Sequence, residues 1–360
     1  MNIEDIIIPA GKIETEKWQL GNLISGEIAE GGIVLIFCSD YRGLNGGEAE
    51  IHGFRKVRRE LYNLSRLDFE IPVCDLGDLI SGKSHEDTHY ILQELLSICH
   101  DKKAVPVVIG GSCDFSFALF SALSHYHREI SYTNISAMIS LNDQGEGLNE
   151  KNYLARILGS KNFPLRDYHH MAYQKHLNEL DSVKLMKEVE FDVIRLADMM
   201  GSTENTEPYF RRADLVTVNC DSVEGPAGGF SVNPQVNGLN RREVCAYMKE
   251  VGLSENLKSV GIFNFNPHSD SLLNQQLLAQ MVWHLIEGIN IQRSHPKERR
   301  METFYVPVDD VHFAFKRDSF SGLWYFGDDE DVEKLIPCSP AEYAQAKRGT
   351  LPARLMRDRI

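Results

Sequence analysis

The stretch that most narrows the choice of fold is residues 105–120, VPVVIGGSCDFSFALF. Residues 105–109 form an apolar run of the length of a buried parallel strand, Gly110 and Gly111 break it, and residues 114–127 resume with helical spacing. A strand, a tight turn and a helix in that order form the core of a βαβ unit. In open α/β sheets the side chains at such carboxyl strand ends converge on the ligand crevice, so Ser112, Cys113 and Asp114 sit where chemistry is usually done.

The same alternation repeats along the chain. Apolar runs predict strands at 33–38 (IVLIFC), 70–75 (EIPVCD), 105–109, 135–141 (ISAMISL), 169–173, 191–196, 215–219 (LVTVN) and 259–264 (SVGIFN), about eight in all. Helical spacing predicts helices over 48–64, 86–100, 114–127, 178–190, 241–251 and 272–288, with Asn240 as the N-cap of the fifth. Strands alternating with helices imply a three-layer α/β/α fold around a mostly parallel sheet. Beyond residue 300 the character changes: 305–308, 311–316 and 323–326 are short alternating or aromatic runs around turn residues. The expected organisation is an α/β/α domain over 1–300 and a small β extension over 301–360 packed on it.

Composition excludes several function classes. At 360 residues, 42% hydrophobic and 25% charged, the chain can bury a large core and does not read as disordered. A net charge of −14 argues against a nucleic-acid or anionic-membrane surface, which would demand basic patches. Seven cysteines without CxxC spacing form neither a disulfide framework nor a zinc knuckle, which fits a reducing cytoplasm. Residues 1–20 carry acids where a signal peptide carries bases, and no apolar stretch reaches the roughly 20 residues of a membrane span. A soluble, cytoplasmic protein is expected. The Gly- and Asn-rich loop at 39–47 lacks the Gly-Lys-Ser/Thr ending of a phosphate-binding P-loop.

The spelling Pro-Val-Val-Ile-Gly-Gly at 106–111, followed by a polar pair, resembles the first metal motif of the arginase, agmatinase and formimidoylglutamase family, the ureohydrolases, where that pair is Asp-His. Two further segments fall in the same order: SLNDQGE after the fourth expected strand and VNCDSVEGP after the seventh. The glycines at 43–47 ahead of IHGFRKVRRELY also resemble the family's first βα loop and its helix. The resemblance spans about residues 33–288, and GGSCD with LWYFGD, LIPCSP and LPARLM is similar to a divergent formimidoylglutamase-like group. It implies an arginase-like fold, assembly with further copies of the chain, and a crevice in which two Mn²⁺ ions activate a bridging hydroxide against a guanidino or formimino carbon.

Carried over position by position, the resemblance puts Cys113 at the first motif's His, Asn142, Gln144 and Glu146 at the second motif's Asp-x-His-x-Asp, and Asn219 and Asp221 at the third motif's Asp-x-Asp. Asn264 falls where the family holds its substrate's cationic end with an anion. Only Asp221 is retained and only Glu146 is conservative, so these two alone would be metal ligands if a metal were kept. An amide offers one neutral acceptor and two N–H donors, so Asn142 and Asn219 cannot replace aspartates that bridge two dications. Gln144 lacks an imidazole, and the Cys113 sulfur suits softer ions than Mn²⁺. A shift by one residue, making Asp114 and Asp143 the ligands, would turn both side chains to the opposite face unless a bulge restored them. The remaining histidines, His125 with His127 and His169 with His170 among them, are expected at the surface or satisfied in the core.

These substitutions point to a degenerate site with no resident metal and no assigned catalytic residue. The expectation is a binding or regulatory protein for a small polar or cationic molecule, with neither nucleic acid nor membrane as partner. The alternative is a Mn²⁺-dependent hydrolase of a C–N bond in a linear amidine, such as a formimidoylglutamase.

Overall fold

Six consecutive fully buried residues, IVLIFC at Ile33–Cys38, form the strand against which the rest of the sheet is laid. Ile33, Leu35 and Phe37 enter one hydrophobic core while Val34, Ile36 and Cys38 enter the other, so the period-two alternation of the strand feeds both faces. The computed structural model describes residues 2–49, 54–142, 147–160, 163–225 and 229–357.

In chain order the strands of the main sheet are β1 (Ile7–Ile8), β2 (Ile24–Ser25), β3 (Ile33–Cys38), β4 (Val73–Leu79), β5 (Val105–Ile109), β6 (Ile130–Ile135), β7 (Leu165–Tyr173), β8 (Asp192–Arg195), β9 (Leu215–Asn219) and β10 (Ser259–Phe263). They lie in the order β1-β4-β3-β5-β10-β9-β6-β7-β8, with β2 beside β4. From β3 to β10 every pairing is parallel, and only the two-residue β1 runs antiparallel. The helices are α1 (Arg55–Tyr62), α2 (His85–Asp101), α3 (Phe115–Ser124), α4 (Tyr153–Gly159), α5 (Leu180–Glu188), α6 (Leu196–Met199), α7 (Arg241–Gly252), α8 (Leu272–Ser294), α9 (Pro340–Lys347) and α10 (Ala353–Arg357). Residues of α1, α6, α7 and α8 cover one face of the sheet, and those of α2, α3, α4 and α5 the other. The result is the three-layer α/β/α architecture expected from the alternation. Among the described residues no helix is long and apolar enough to cross a membrane.

All eight expected strands form, but the fourth is displaced. It occupies Ile130–Ile135 rather than 135–141, and residues 136–142 that follow are irregular. The strand reads ISYTNI, and its polar members are buried because each has a partner: Thr133 donates to the Tyr209 carbonyl at 2.7 Å, and the Asn134 amide reaches the Tyr153 and Tyr168 hydroxyls at 3.0 and 3.2 Å. Hydropathy cannot reveal a strand whose burial rests on hydrogen bonds. Helix α1 begins only at Arg55, with residues 50–53 outside the described set, and α8 runs past residue 288 to Ser294.

Beyond α8 the chain forms an antiparallel meander of β11 (Met301–Val308), β12 (Val311–Asp318), β13 (Trp324–Phe326) and β14 (Ile336–Cys338), with its own small apolar core. Arg211, fully buried, fixes it to the α/β layers: the guanidinium donates to the Trp324 carbonyl at 2.5 Å and the Cys338 carbonyl at 3.3 Å, and lies 4.7 Å from the centre of the Tyr325 ring.

Helix α1 is tied to the sheet by charge. Arg58 donates to Asp75 at 2.7 and 3.2 Å and to Asp78 at 2.9 and 3.0 Å, beneath the Phe37 ring, while the Tyr62 hydroxyl donates to Asp75 at 2.8 Å. Removing the cation leaves two carboxylates buried without it. Arg58→Met should therefore lower stability by about 3–5 kcal/mol in urea unfolding at neutral pH. A loss below about 1 kcal/mol, the value of an exposed pair, would contradict this.

Candidate functional site

The Gly-Gly turn after β5 is needed by its own geometry. Gly110 and Gly111 have φ of 84° and 77°, and a Cβ on Gly110 would lie 2.5 Å from the Cys38 carbonyl oxygen and from the Phe54 ring. The turn delivers Cys113 to Asn264, the residue after β10. Asn264 is fully buried at φ 59°, a left-handed position that asparagine tolerates better than most residues. Its backbone N–H donates to the Gly111 carbonyl at 2.8 Å, and its side-chain oxygen accepts from the Cys113 N–H at 2.9 Å. Its amide nitrogen donates to Asp221, at the end of β9, at 3.1 Å. The other Asp221 oxygen accepts from the Ser231 hydroxyl at 3.0 Å.

Above this junction lies a cavity of about 810 Å³ whose walls include Cys113, Asn142, Asn219 and Asp221. Four of the seven positions singled out in the sequence thus share one concave surface. Asn264 lies beneath it, holding two of its walls, and Gln144 and Glu146 fall outside the described residues. The Asn219 amide nitrogen donates to Ser136 at 3.0 Å, while its buried oxygen has no partner among the described residues. Burial lifts the Asp221 carboxyl to about 6, against the opposing hydrogen bonds from Asn264 and Ser231. Burial, reinforced by Asp221, likewise pushes the Cys113 thiol well above its ordinary value.

Sequence reasoning missed a second carboxylate on this cavity. Glu150 lines it, accepts from the Asn233 amide at 3.0 Å, and has its pKa raised by burial. No motif marks it, because it reaches the wall from the loop after β6 that the displaced strand lengthens. A larger concavity of about 1080 Å³ lies between the β7–β8 edge and the meander. Several charged residues there are paired, as in Arg299 with Glu255 at 2.7 Å and His169 with Asp192 at 3.0 Å, whereas the strand-end cavity gathers four of the positions singled out in the sequence and is the better candidate.

On the other side of the same turn, Asp114 enters a cluster that hydropathy and motif frames did not suggest. His85 and His89 stand one turn apart at the start of α2, where Ser84 accepts from the Asp87 N–H as N-cap. Their Nε2 atoms lie 2.6 and 2.8 Å from one Asp114 oxygen and 3.3 Å from each other, and His85 Nδ1 lies 3.2 Å from Asp40. Both histidines were expected to be surface or satisfied core residues. Instead they converge with a carboxylate into a set of three groups able to hold a metal ion. The signal was present as HEDTH at 85–89, a His-Glu-x-x-His spelling that puts both imidazoles on one helix face. Burial alone would lower the His85 pKa, but hydrogen bonds with Asp114 and Asp40 outweigh it and lift it to about 9.

The sequence profile of the arginase family matches residues 46–287. Among solved structures, Trypanosoma cruzi formiminoglutamase with Mn²⁺ superposes with a TM-score of 0.67 at 17% identity, over 77% of this chain and 99% of that one. The formimidoylglutamase from Bacillus subtilis gives 0.68 at 14% identity over 80% and 97%. The proclavaminate amidino hydrolase from Streptomyces clavuligerus gives 0.62 at 14% identity over 77% and 98%. These likenesses establish a shared fold. No curated protein matches the sequence significantly.

The raised Asp221 pKa has a stability consequence with a definite sign. A carboxyl that titrates near 6 when folded and near 3.8 when unfolded favours the folded state most below about pH 4, and that contribution is lost as pH rises through 6. Relative to Asp221→Asn, which cannot titrate, the wild type should lose roughly 3 kcal/mol between about pH 4 and pH 7 in denaturant unfolding. Parallel stability curves for the two proteins over that range would contradict the assignment.

Proposed function

Because this chain belongs to the arginase family, we propose that its strand-end cavity is a derived form of the family's substrate crevice, one that binds a small N–H-rich cation without a pair of Mn²⁺ ions and serves a binding or regulatory role. The observation that carries this reading is the Asn219 side-chain oxygen, a buried acceptor without a donor among the described residues, on a cavity wall shared with the carboxylates of Asp221 and Glu150. Such a surface suits a guanidinium, amidinium or ammonium group, which brings several N–H donors and a positive charge.

The described donors do not fit two Mn²⁺ ions. Asp221 already accepts an amide N–H on one oxygen and a hydroxyl on the other, and Asn219 turns its NH₂ to Ser136. The Cys113 thiol is held protonated by burial. Hard dications need anionic oxygen or imidazole at these places. No hydrolytic step through such ions is therefore derived. The crevice instead orders its ligand by hydrogen bonds and by the carboxylates of Asp221 and Glu150.

A second reading is a metal-dependent hydrolase of a linear amidine. It is favoured by family membership and by the fold shared with formiminoglutamase structures that contain Mn²⁺. Calorimetric titration of the protein with arginine, agmatine and formimidoylglutamate, beside assays for urea, formamide and ammonia in excess Mn²⁺, separates the two. The expected result is binding of a cationic member of the set that weakens with salt, weakens at least about tenfold in Asp221→Asn, and is not followed by turnover. Product release at about 1 s⁻¹ or faster, within the usual enzyme range, would establish the second reading, and binding indifferent to Asp221→Asn would remove the cavity as the site.

A further inference from the structure

We propose that His85, His89 and Asp114 form a mononuclear site for a divalent transition-metal ion of the Zn²⁺ class, separate from the strand-end cavity. Three observations carry it. The first is the convergence itself: two Nε2 atoms and one carboxylate oxygen lie 2.6, 2.8 and 3.3 Å apart, a set of ligand atoms close enough to share one ion. A tetrahedral ion with bonds of about 2.0 Å holds its ligand atoms about 3.3 Å apart, so the histidine pair is already at that spacing and the carboxylate must retreat by about half an ångström.

The second is the support behind the cluster. Metal-bound imidazoles usually donate their other ring N–H to a carboxylate, which fixes the tautomer. His85 Nδ1 faces Asp40 at 3.2 Å, and Asp40 is in turn held by the Arg42 guanidinium at 2.6 and 3.1 Å and by the Arg42 backbone N–H at 3.0 Å. Asp40 is fully buried, so this arrangement is built into the fold.

The third is what hydrogen bonding leaves undone. Both imidazoles crowd a single Asp114 oxygen, while the other Asp114 oxygen and the Ser112 hydroxyl are buried with no partner among the described residues. Gly43 lies close over them: a Cβ there would be 1.9 Å from the idle carboxylate oxygen and 2.6 Å from the hydroxyl. An ion at the convergence point takes all three lone pairs, and a fourth ligand such as water finds the unpartnered carboxylate oxygen as its acceptor. Two imidazoles and one carboxylate suit Zn²⁺, Co²⁺ or Ni²⁺ better than Mg²⁺ or Ca²⁺. The His85 side chain is the most exposed of the three, 14% against 6% and 0% for His89 and Asp114, so ion and water enter from its side.

The test uses the full chain, stripped with chelator and titrated with ZnCl₂ in a calorimeter. One Zn²⁺ should bind per chain, and Co²⁺ in its place should give the visible absorption of a four-coordinate ion. His85→Gln and Asp114→Asn should each weaken Zn²⁺ binding at least about 100-fold, Asp40→Asn about 10–100-fold, and Asp221→Asn not at all. Since the buried variants can unfold, zinc-edge X-ray absorption of the loaded wild type gives an independent check: nitrogen and oxygen neighbours at about 2.0–2.1 Å are expected, whereas a sulfur at about 2.3 Å would move the ion to a cysteine. A folded wild type that takes up no Zn²⁺, or uptake that survives both ligand variants or is abolished by Asp221→Asn, would overturn the proposal. Failure here leaves the cavity reading intact, because that rests on Asn219, Asp221 and Glu150.

Discussion

Asn264 holds together the strand ends on which the candidate site depends. Its left-handed backbone lets one residue receive β10 and turn both ends of its amide toward neighbouring loops, the acceptor to the Cys113 N–H and the donor to Asp221. An anion at this position would lose the donor and set a like charge against Asp221 in a buried setting. The amide therefore both fixes the height of the Gly-Gly turn and occupies one oxygen of Asp221. The Ser231 hydroxyl, which reaches the Asn264 carbonyl at 2.9 Å, closes the same network from the next loop.

From that junction the turn after β5 serves two sides at once. Cys113 faces a cavity whose lining includes the amides of Asn142 and Asn219 and the carboxylates of Asp221 and Glu150, both of raised pKa, with Lys151 and Glu179 also on its wall, and Asp114, one residue on, enters a tight cluster with two imidazoles. The two neighbours meet opposite electrostatic conditions. Contact with His85 and His89 outweighs burial and draws the Asp114 carboxyl down to about 2, whereas burial with only neutral donors raises Asp221. Among the described residues, the group of imidazoles and carboxylate able to hold a metal ion lies at the amino end of α2.

Much of the fold was legible because apolar runs and glycine turns are local signals. IVLIFC, VPVVI, LVTVN and SVGIF each became strands within a residue of their expected limits, and their parallel order follows from the helices between them. ISYTNI was misplaced because its burial depends on partners such as Tyr153 and Tyr168, distant in sequence. Part of the candidate cavity was legible from strand ends: Cys113, Asn142, Asn219 and Asp221 share its wall, while Asp114, next to Cys113 in the turn, meets the two histidines. It was not legible where only tertiary contact reveals purpose. Glu150 sits in a loop without a motif, Asn264 read as a substrate contact and is a buried tie, and His85 was left outside a helix predicted to begin one residue later.

A crevice at Cys113, Asn142, Asn219 and Asp221 that works without paired Mn²⁺ should stay free of the metal even when it is abundant. Anomalous diffraction from crystals grown in excess MnCl₂, recorded on either side of the manganese edge, addresses it directly. No anomalous peak is expected among those four side chains. Two peaks there, about 3.5–4 Å apart as in dinuclear hydrolytic sites, would contradict it.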